Sequence, residues 1–265
     1  MGCIAIIPAR FHSVRFPGKA LASLAGKPLI WHVAERCQQI EGVERVIVAT
    51  DDERIAEAAR QAGAEAIMTP ADLASGTDRV AYVAAGLETD VVLNVQGDEP
   101  LLDPIALGGA LRQFIDSGAS FGTLRAPLEE VADLFDPNVV KVVIDRSGRA
   151  LYFSRAPIPF PRDSWRARDN PRGRAEIRVD PRPRLTDAYW LHVGVYIYRR
   201  TALARWARIA PSPLERLEGL EQLRILEAGE SVYTFPIADS VPGVDTPEDL
   251  ERVRRYVDTG RSAEG

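Results

Sequence analysis

Short, nearly unbroken apolar runs alternating with amphipathic segments constrain this chain more than any other feature. Residues 3–7, 43–50, 64–68 and 91–95 read as strands, with helices expected over 28–40, 52–62 and 75–87. A strand without a polar face must be covered on both sides, which is the condition of parallel sheets in α/β folds. The expectation is an α/β, Rossmann-like, mostly parallel sheet with helices on both faces. Beyond about residue 126 the pattern changes. Residues 139–144, 150–154, 190–198 and 232–235 look like strands, 214–228 like one helix and 246–256 like a closing helix. Residues 161–185 hold eight Arg, four acidic residues and four Pro with little periodicity. They read as a solvated loop or flap, or as a lid or arm that helps hold an anionic substrate. The chain of 265 residues is expected to form one domain over 1–265, with a smaller β-containing subdomain at approximately 136–200.

The net charge of −5 argues against a dedicated nucleic-acid binder, which carries a basic balance. No run approaches the roughly 18 apolar residues of a membrane span. The apolar stretch after Met1 is short and has no basic region ahead of it, unlike a signal peptide. Cys3 and Cys37 are the two cysteines and imply no disulfide framework, so the cytoplasm is the expected location.

The first strand empties into Pro8-Ala9-Arg10-Phe11-His12-Ser13-Val14-Arg15-Phe16-Pro17-Gly18-Lys19. Ligands of open α/β sheets bind at the carboxyl ends of strands. Arg10, Arg15 and Lys19 suit a polyphosphate there, Arg as a bidentate fork and Lys as a point charge, with Ser13 adding a hydroxyl. The loop is neither a Walker A sequence nor G-x-G-x-x-G. His12 reads as a solvated loop residue and His32 as structural. Asp98 stands at the carboxyl tip of the strand 91–95, where magnesium, which takes one or two carboxylates together with phosphates and water, would find a hard ligand. Asp245 offers a second carboxylate or caps the helix that follows. Glu99, beside Asp98, reads either as a further carboxylate of the site or as a side chain that faces solvent.

Resemblance enters with the loop Pro8–Lys19. It continues through Val48-Ala49-Thr50-Asp51-Asp52, Ser75-Gly76-Thr77-Asp78-Arg79, Asn94-Val95-Gln96-Gly97-Asp98-Glu99-Pro100 and Asp136-Pro137-Asn138-Val139-Val140-Lys141. It resumes at Tyr152-Phe153-Ser154-Arg155, His192-Val193-Gly194-Val195-Tyr196, 217–223 and 241–250. About nine ordered blocks, spanning nearly everything except 161–185, make the chain similar to the CMP-Kdo synthetases (3-deoxy-manno-octulosonate cytidylyltransferases). The resemblance implies a nucleotide-diphospho-sugar transferase fold, CTP and the acidic eight-carbon sugar Kdo as substrates, Mg2+ on Asp98 and Asp245, a place in lipopolysaccharide biosynthesis, and a homodimer formed through the arm.

It also implies that Ala9, Arg10, Ser13, Arg15 and Lys19 hold the nucleotide, with Gln96, Ser75 and Arg79 near base and ribose. Lys19, Arg10 and Arg15 are the expected catalytic cations. The expected reaction is in-line attack of the anomeric hydroxyl on the α-phosphate, carried by positioning and electrostatics, with no side-chain base required. For the sugar, Glu218, Glu221 and Gln222 stand at i, i+3 and i+4 and would share one face of a leucine-rich helix. They need polar partners, which a polyol supplies, or else salt bridges to Arg216 and Arg224. His192 and Tyr196 join the sugar set through the resemblance. Arg155 pairs either with the sugar carboxylate or with a neighbouring Asp. A sialate cytidylyltransferase differs in its first loop, which is glycine-rich, and an isoprenoid-pathway cytidylyltransferase needs another loop again. A non-catalytic nucleotide sensor would not need Lys19, Asp98 and Asp245 together.

Overall fold

A computed structural model describes residues 2–12, 15–162, 188–239 and 243–258, and the backbone of two short strands at 166–169 and 175–178. The elements run β1 (Cys3–Ala9), β2 (Ser23–Leu24), β3 (Lys27–Pro28), α1 (Leu29–Gln38), β4 (Val43–Thr50), α2 (Glu53–Gln61), β5 (Glu65–Met68), α3 (Gly76–Ala84) and β6 (Val91–Asn94). The second half contributes α4 (Pro104–Ser117), β7 (Phe121–Pro127), α5 (Val131–Phe135), β8 (Lys141–Ile144), β9 (Ala150–Ser154), β10 (Arg166–Asp169), β11 (Ala175–Arg178) and β12 (Trp190–Arg199). It closes with α6 (Arg200–Trp206), α7 (Pro213–Glu218), α8 (Gln222–Glu227), β13 (Val232–Pro236) and α9 (Pro247–Asp258).

The main sheet has the order β13-β7-β12-β6-β1-β4-β5. Along this path β12 is the strand that runs against the rest. β8 extends the sheet from β12, and β9 pairs with β8. Residues 141–154 are therefore joined to the main sheet, while β10 and β11 form their own hairpin. The strands are apolar on both faces because each face has its own core. One holds Ile7, Val33, Val48, Leu93 and Phe114, and the other Ile6, Ile47, Val80, Val92 and Trp206. The mostly parallel sheet expected from the sequence is present. Two elements that the pattern did not reveal, α4 and β7, complete it.

The chain builds β1, β4 and β5 in one direction and then crosses back to lay β6 on the other side of β1. The carboxyl ends of β1 and β6 thus flank a topological switch point, the crevice where open α/β sheets bind ligands. Because β12 runs antiparallel to β6, with Tyr196 opposite Asn94, its early residues reach the same edge.

Candidate active site

Ala9 ends β1, and the loop beyond it is anchored to the end of β4. Asp51 accepts from the Phe11 backbone N at 3.2 Å, and the Arg54 guanidinium lies 3.9 Å over the Phe11 ring. Asp51 also meets Arg79, buried in α3, at 3.4 Å. Burial lowers the pKa of Arg79, against the pull of Asp51. Arg10 stays exposed at the mouth. Ser13 lies outside the described residues.

Lys19 opens a short 3-10 turn, Lys19–Leu21. Its Nζ donates to Asp98 Oδ2 at 2.6 Å and to Asp245 Oδ1 at 3.1 Å, and Arg15 reaches Asp245 Oδ2 at 2.9 Å. Backbone packing brings these distant carboxylates together. Val244 N donates to the Asp98 carbonyl at 2.8 Å, and a Cβ on Gly243 would stand 3.2 Å from that same oxygen, so a side chain there would crowd the approach. Asp245 does not cap α9. Asp249 Oδ2 accepts from the backbone N of Asp245 and Thr246 at 3.1 and 2.9 Å, and Thr246 Oγ1 accepts from Asp249 N at 3.2 Å. The cap is supplied elsewhere, which leaves the Asp245 carboxylate turned to Lys19 and Arg15.

Burial alone would lower the Lys19 pKa, but Asp98 and then Asp245 outweigh it, so the net shift is upward and the ammonium is held. Glu99 is half-buried and lines a cavity beside the two aspartates. Burial, helped by the charges of Asp98 and Asp245, pushes its pKa up to about 8. Among the described residues no group of three or more His, Cys, Asp or Glu is arranged as a metal cage. Two hard carboxylates converging on one cation beside a cationic loop is instead the donor set that suits magnesium carried with phosphates.

Two cavities meet at this point. The smaller, about 340 Å³, is lined by Ala9, Arg10, Lys19, Ser75 and Arg79 among others. The larger, about 840 Å³, is lined by His192, Tyr196 and Gln222, with the loop at Asp136, Asn138 and Val139 as one wall. Arg15, Gly76, Gln96, Asp98, Glu221 and Asp245 line both. The nucleotide and sugar sets expected from the sequence therefore adjoin and are not remote from each other. Ser75 doubles as the N-cap of α3, accepting from Asp78 N at 3.1 Å.

In the larger cavity β12 makes an excursion. Its register against β7 runs from Val193–Leu124 directly to Tyr196–Thr123, so Gly194 and Val195 are extra. Two extra residues preserve the alternation, and His192 and Tyr196 stay on one face. The His192 ring is buried, 5.0 Å from Phe153 and 5.6 Å from Tyr196 between centroids, and burial lowers its pKa to about 3. Tyr196 OH donates to Gln222 Oε1 at 3.0 Å.

The expected single helix over 214–228 is two helices. α7 ends at Glu218, Gly219 adopts φ 64°, and α8 starts at Gln222. A left-handed glycine ends a helix, so the shared face of Glu218, Glu221 and Gln222 does not exist. Glu218 turns to β9, where it accepts from Ser154 Oγ at 2.7 Å and Arg155 N at 3.0 Å. The Arg155 guanidinium donates to the carbonyls of Glu218 and Pro137, each at 2.7 Å. Glu218 and Arg155 line neither cavity; they tie the α7–α8 turn to the loop at Pro137. Glu221 and Gln222 do reach in. Glu221 is held by Thr77 and Ser75, and burial raises its pKa. Glu221 Oε2 and Gln222 Nε2 are buried without a hydrogen-bond partner among the described residues. Two unmatched polar atoms, an acceptor and a donor, at a cavity wall suit a ligand with hydroxyl groups.

Arg224 pairs with Glu215, Nε to Oε2 at 2.7 Å, and braces α7 against α8 with side chains only 6% and 10% exposed. Arg224→Ala leaves the Glu215 charge uncompensated and should cost about 3–5 kcal/mol, read by urea unfolding. Full stability of that variant would remove the pair from the account of how the Gln222 turn is held.

The profile of the family described as Cytidylyltransferase matches residues 4–232. A 3-deoxy-manno-octulosonate cytidylyltransferase of Geobacter metallireducens is 48% identical over 254 residues, covering 96% of each chain. One of Solibacter usitatus is 46% identical over 253 residues, covering 95% of this chain and 93% of the relative. Among solved structures, a CMP:2-keto-3-deoxy-manno-octonic acid synthetase complexed with CTP superposes with a TM-score of 0.85 at 40% identity, covering 98% of this chain and 100% of the other. A Leptospira borgpetersenii cytidylyltransferase, 18% identical with a TM-score of 0.64 over 99% of this chain and 89% of the other, shares the fold.

Proposed function

The chain belongs to the 3-deoxy-manno-octulosonate cytidylyltransferase family, and from that premise we infer that it transfers CMP from CTP to Kdo, releasing pyrophosphate. The observation that carries the reading is the pair of adjoining cavities, one walled by loop cations and one by unmatched sugar-type groups, with Asp98 and Asp245 at their boundary. Transfer requires the attacking hydroxyl and the α-phosphate to meet there in line.

We assign each part from the cavity wall that the residue lines or borders and, for Ser13, from the resemblance of its loop. Arg10, at the mouth, and Arg15 bind and neutralise the triphosphate, and Ser13 adds a hydroxyl from the same loop. Lys19, held protonated between two carboxylates, faces the charge that develops on the α-phosphate. Gln96, Ser75 and Arg79 border the base and ribose. His192, Tyr196, Glu221 and Gln222 orient the polyol. Asp98 and Asp245 would hold Mg2+. Bound there, the ion would supply Lewis acidity at the α-phosphate and lower the pKa of the attacking hydroxyl. Glu218 and Arg155 enter as braces of the sugar wall. We place the reaction in lipopolysaccharide biosynthesis in the cytoplasm, with a homodimer formed through the 136–200 arm. No helix among the described residues is long and apolar enough to cross a membrane.

The test is pyrophosphate release across CTP, UTP, ATP and GTP with Kdo and sialate as acceptors, and the CTP–Kdo pair should dominate. Gln222→Ala should then raise KM for Kdo roughly five- to a hundredfold with CTP use unchanged, and Glu221→Ala should raise KM for Kdo likewise, as expected for hydroxyls left unpaired. Equal turnover with sialate, or wild-type Kdo parameters in both variants, would overturn the sugar assignment.

A further inference from the structure

Thr123 is fully buried in β7 and lines neither cavity. Its Oγ1 has three polar neighbours: the Val195 carbonyl at 2.8 Å, the Val193 carbonyl at 3.2 Å and His192 Nε2 at 2.9 Å. The two carbonyls bracket the excursion of β12, Val193 just before it and Val195 within it. A carbonyl oxygen cannot donate, so only the single hydroxyl proton can relieve the close oxygen–oxygen contact with Val195, which favours its pointing there over the ring. The third neighbour must then donate to Oγ1, which puts a hydrogen on Nε2.

We propose that Thr123 is a positioning residue for the sugar acceptor: it fixes His192 as the Nε2–H tautomer and leaves Nδ1 as an acceptor for a sugar hydroxyl. This rests on reading His192 as a sugar contact. A buried ring with a pKa near 3 stays neutral at working pH, so it carries one hydrogen and the choice of nitrogen decides what it offers. The ring packs edge-to-face against Phe153 and at a tilt against Tyr196, which restricts its plane. The same logic runs through its neighbours. Tyr196 gives its proton to Gln222 Oε1, so Gln222 turns N–H toward a ligand, while Glu221 offers Oε2. The wall presents two acceptors and one donor. A sugar hydroxyl placed at His192 must give its proton; a group that can only accept, such as an ether or a fluorine, is rejected there.

Two measurements test this on the full-length enzyme. The first is 15N–1H correlation of the imidazole nitrogens in the free wild type, where three histidines are to be resolved and His192→Asn supplies the assignment. The expected pattern is a neutral Nε2–H ring; a neutral Nδ1–H ring overturns the proposal without any variant. The second compares Thr123→Val, which removes the hydroxyl at constant shape, with Thr123→Ser, which keeps it. Thr123→Val should raise KM for Kdo roughly five- to a hundredfold, with KM for CTP unchanged, and should lose the fixed tautomer. Thr123→Ser should restore both. If Ser fails as badly as Val, or if both substrates suffer alike, Thr123 is only structural and the proposal falls. If Val scrambles the tautomer while Kdo use is untouched, His192 does not touch the sugar, and it is the sugar reading that has failed.

Discussion

Asp98→Asn and Asp245→Asn should each abolish measurable turnover, and EDTA should do the same to the wild-type enzyme, with magnesium or manganese restoring only the latter. A divalent cation at a transferring phosphoryl group supplies several kcal/mol of charge stabilisation. At about 1.4 kcal/mol per decade this is a loss of about a thousandfold or more. The two aspartates come from segments 147 positions apart in sequence (245 less 98), yet both end within hydrogen-bond reach of one ammonium. Neither is explained by local structure, since α9 is capped by Thr246 and Asp249 and the Asp98 side chain faces Lys19. Asparagine keeps the shape and one acceptor oxygen but removes the charge. Each folded variant should therefore bind manganese weakly in the presence of CTP, by electron paramagnetic resonance. Full activity of the wild type in rigorously metal-free buffer would dismiss the metal from the mechanism.

How legible was this site in the sequence? The strands of the nucleotide half were plain because their residues are apolar on both faces, as in Cys3–Ala9 and Val91–Asn94. The cations of the first loop and the aspartate at the tip of β6 follow from that placement. α4 also carries a local signal, Asp103 capping ahead of Pro104 with a left-handed Gly118 behind. Across 214–228 the leucine pattern outweighed Gly219, yet it is the glycine that decides where Glu218, Glu221 and Gln222 point. Glu99 and Thr123 had no local signal. Their roles depend on the approach of Gly243 to Asp98 and on an excursion of β12, long-range facts that periodicity does not encode. Most of 161–185, like Ser13, lies outside the described residues.

Lys19→Met should reduce kcat about a hundredfold or more while the folded protein binds a divalent cation more tightly than the wild type in the absence of nucleotide. The first effect is that of removing one preorganised donor from the charge that develops in the transition state. Methionine keeps most of the apolar stem, so the packing of the 3-10 turn is retained. The second effect follows from where Nζ sits. Without a nucleotide the ammonium is itself the counter-ion of Asp98 and Asp245, at 2.6 and 3.1 Å, so a metal must compete with it for the same oxygens. Removing it leaves Asp98 without its ion-pair partner and Asp245 with Arg15 alone. The Glu99 pKa, already pushed to about 8 with Lys19 working against the rise, should climb further. The charge left on the two aspartates favours Mn2+ or Mg2+, and calorimetry on the nucleotide-free protein reads it directly. A purely structural brace predicts something else: a lower melting temperature, no gain in metal affinity, and near-normal kcat in whatever fraction stays folded. Turnover close to wild type in a fully folded Lys19→Met protein would take Lys19 out of the chemistry and leave it as a tie between β1's loop and the two aspartates.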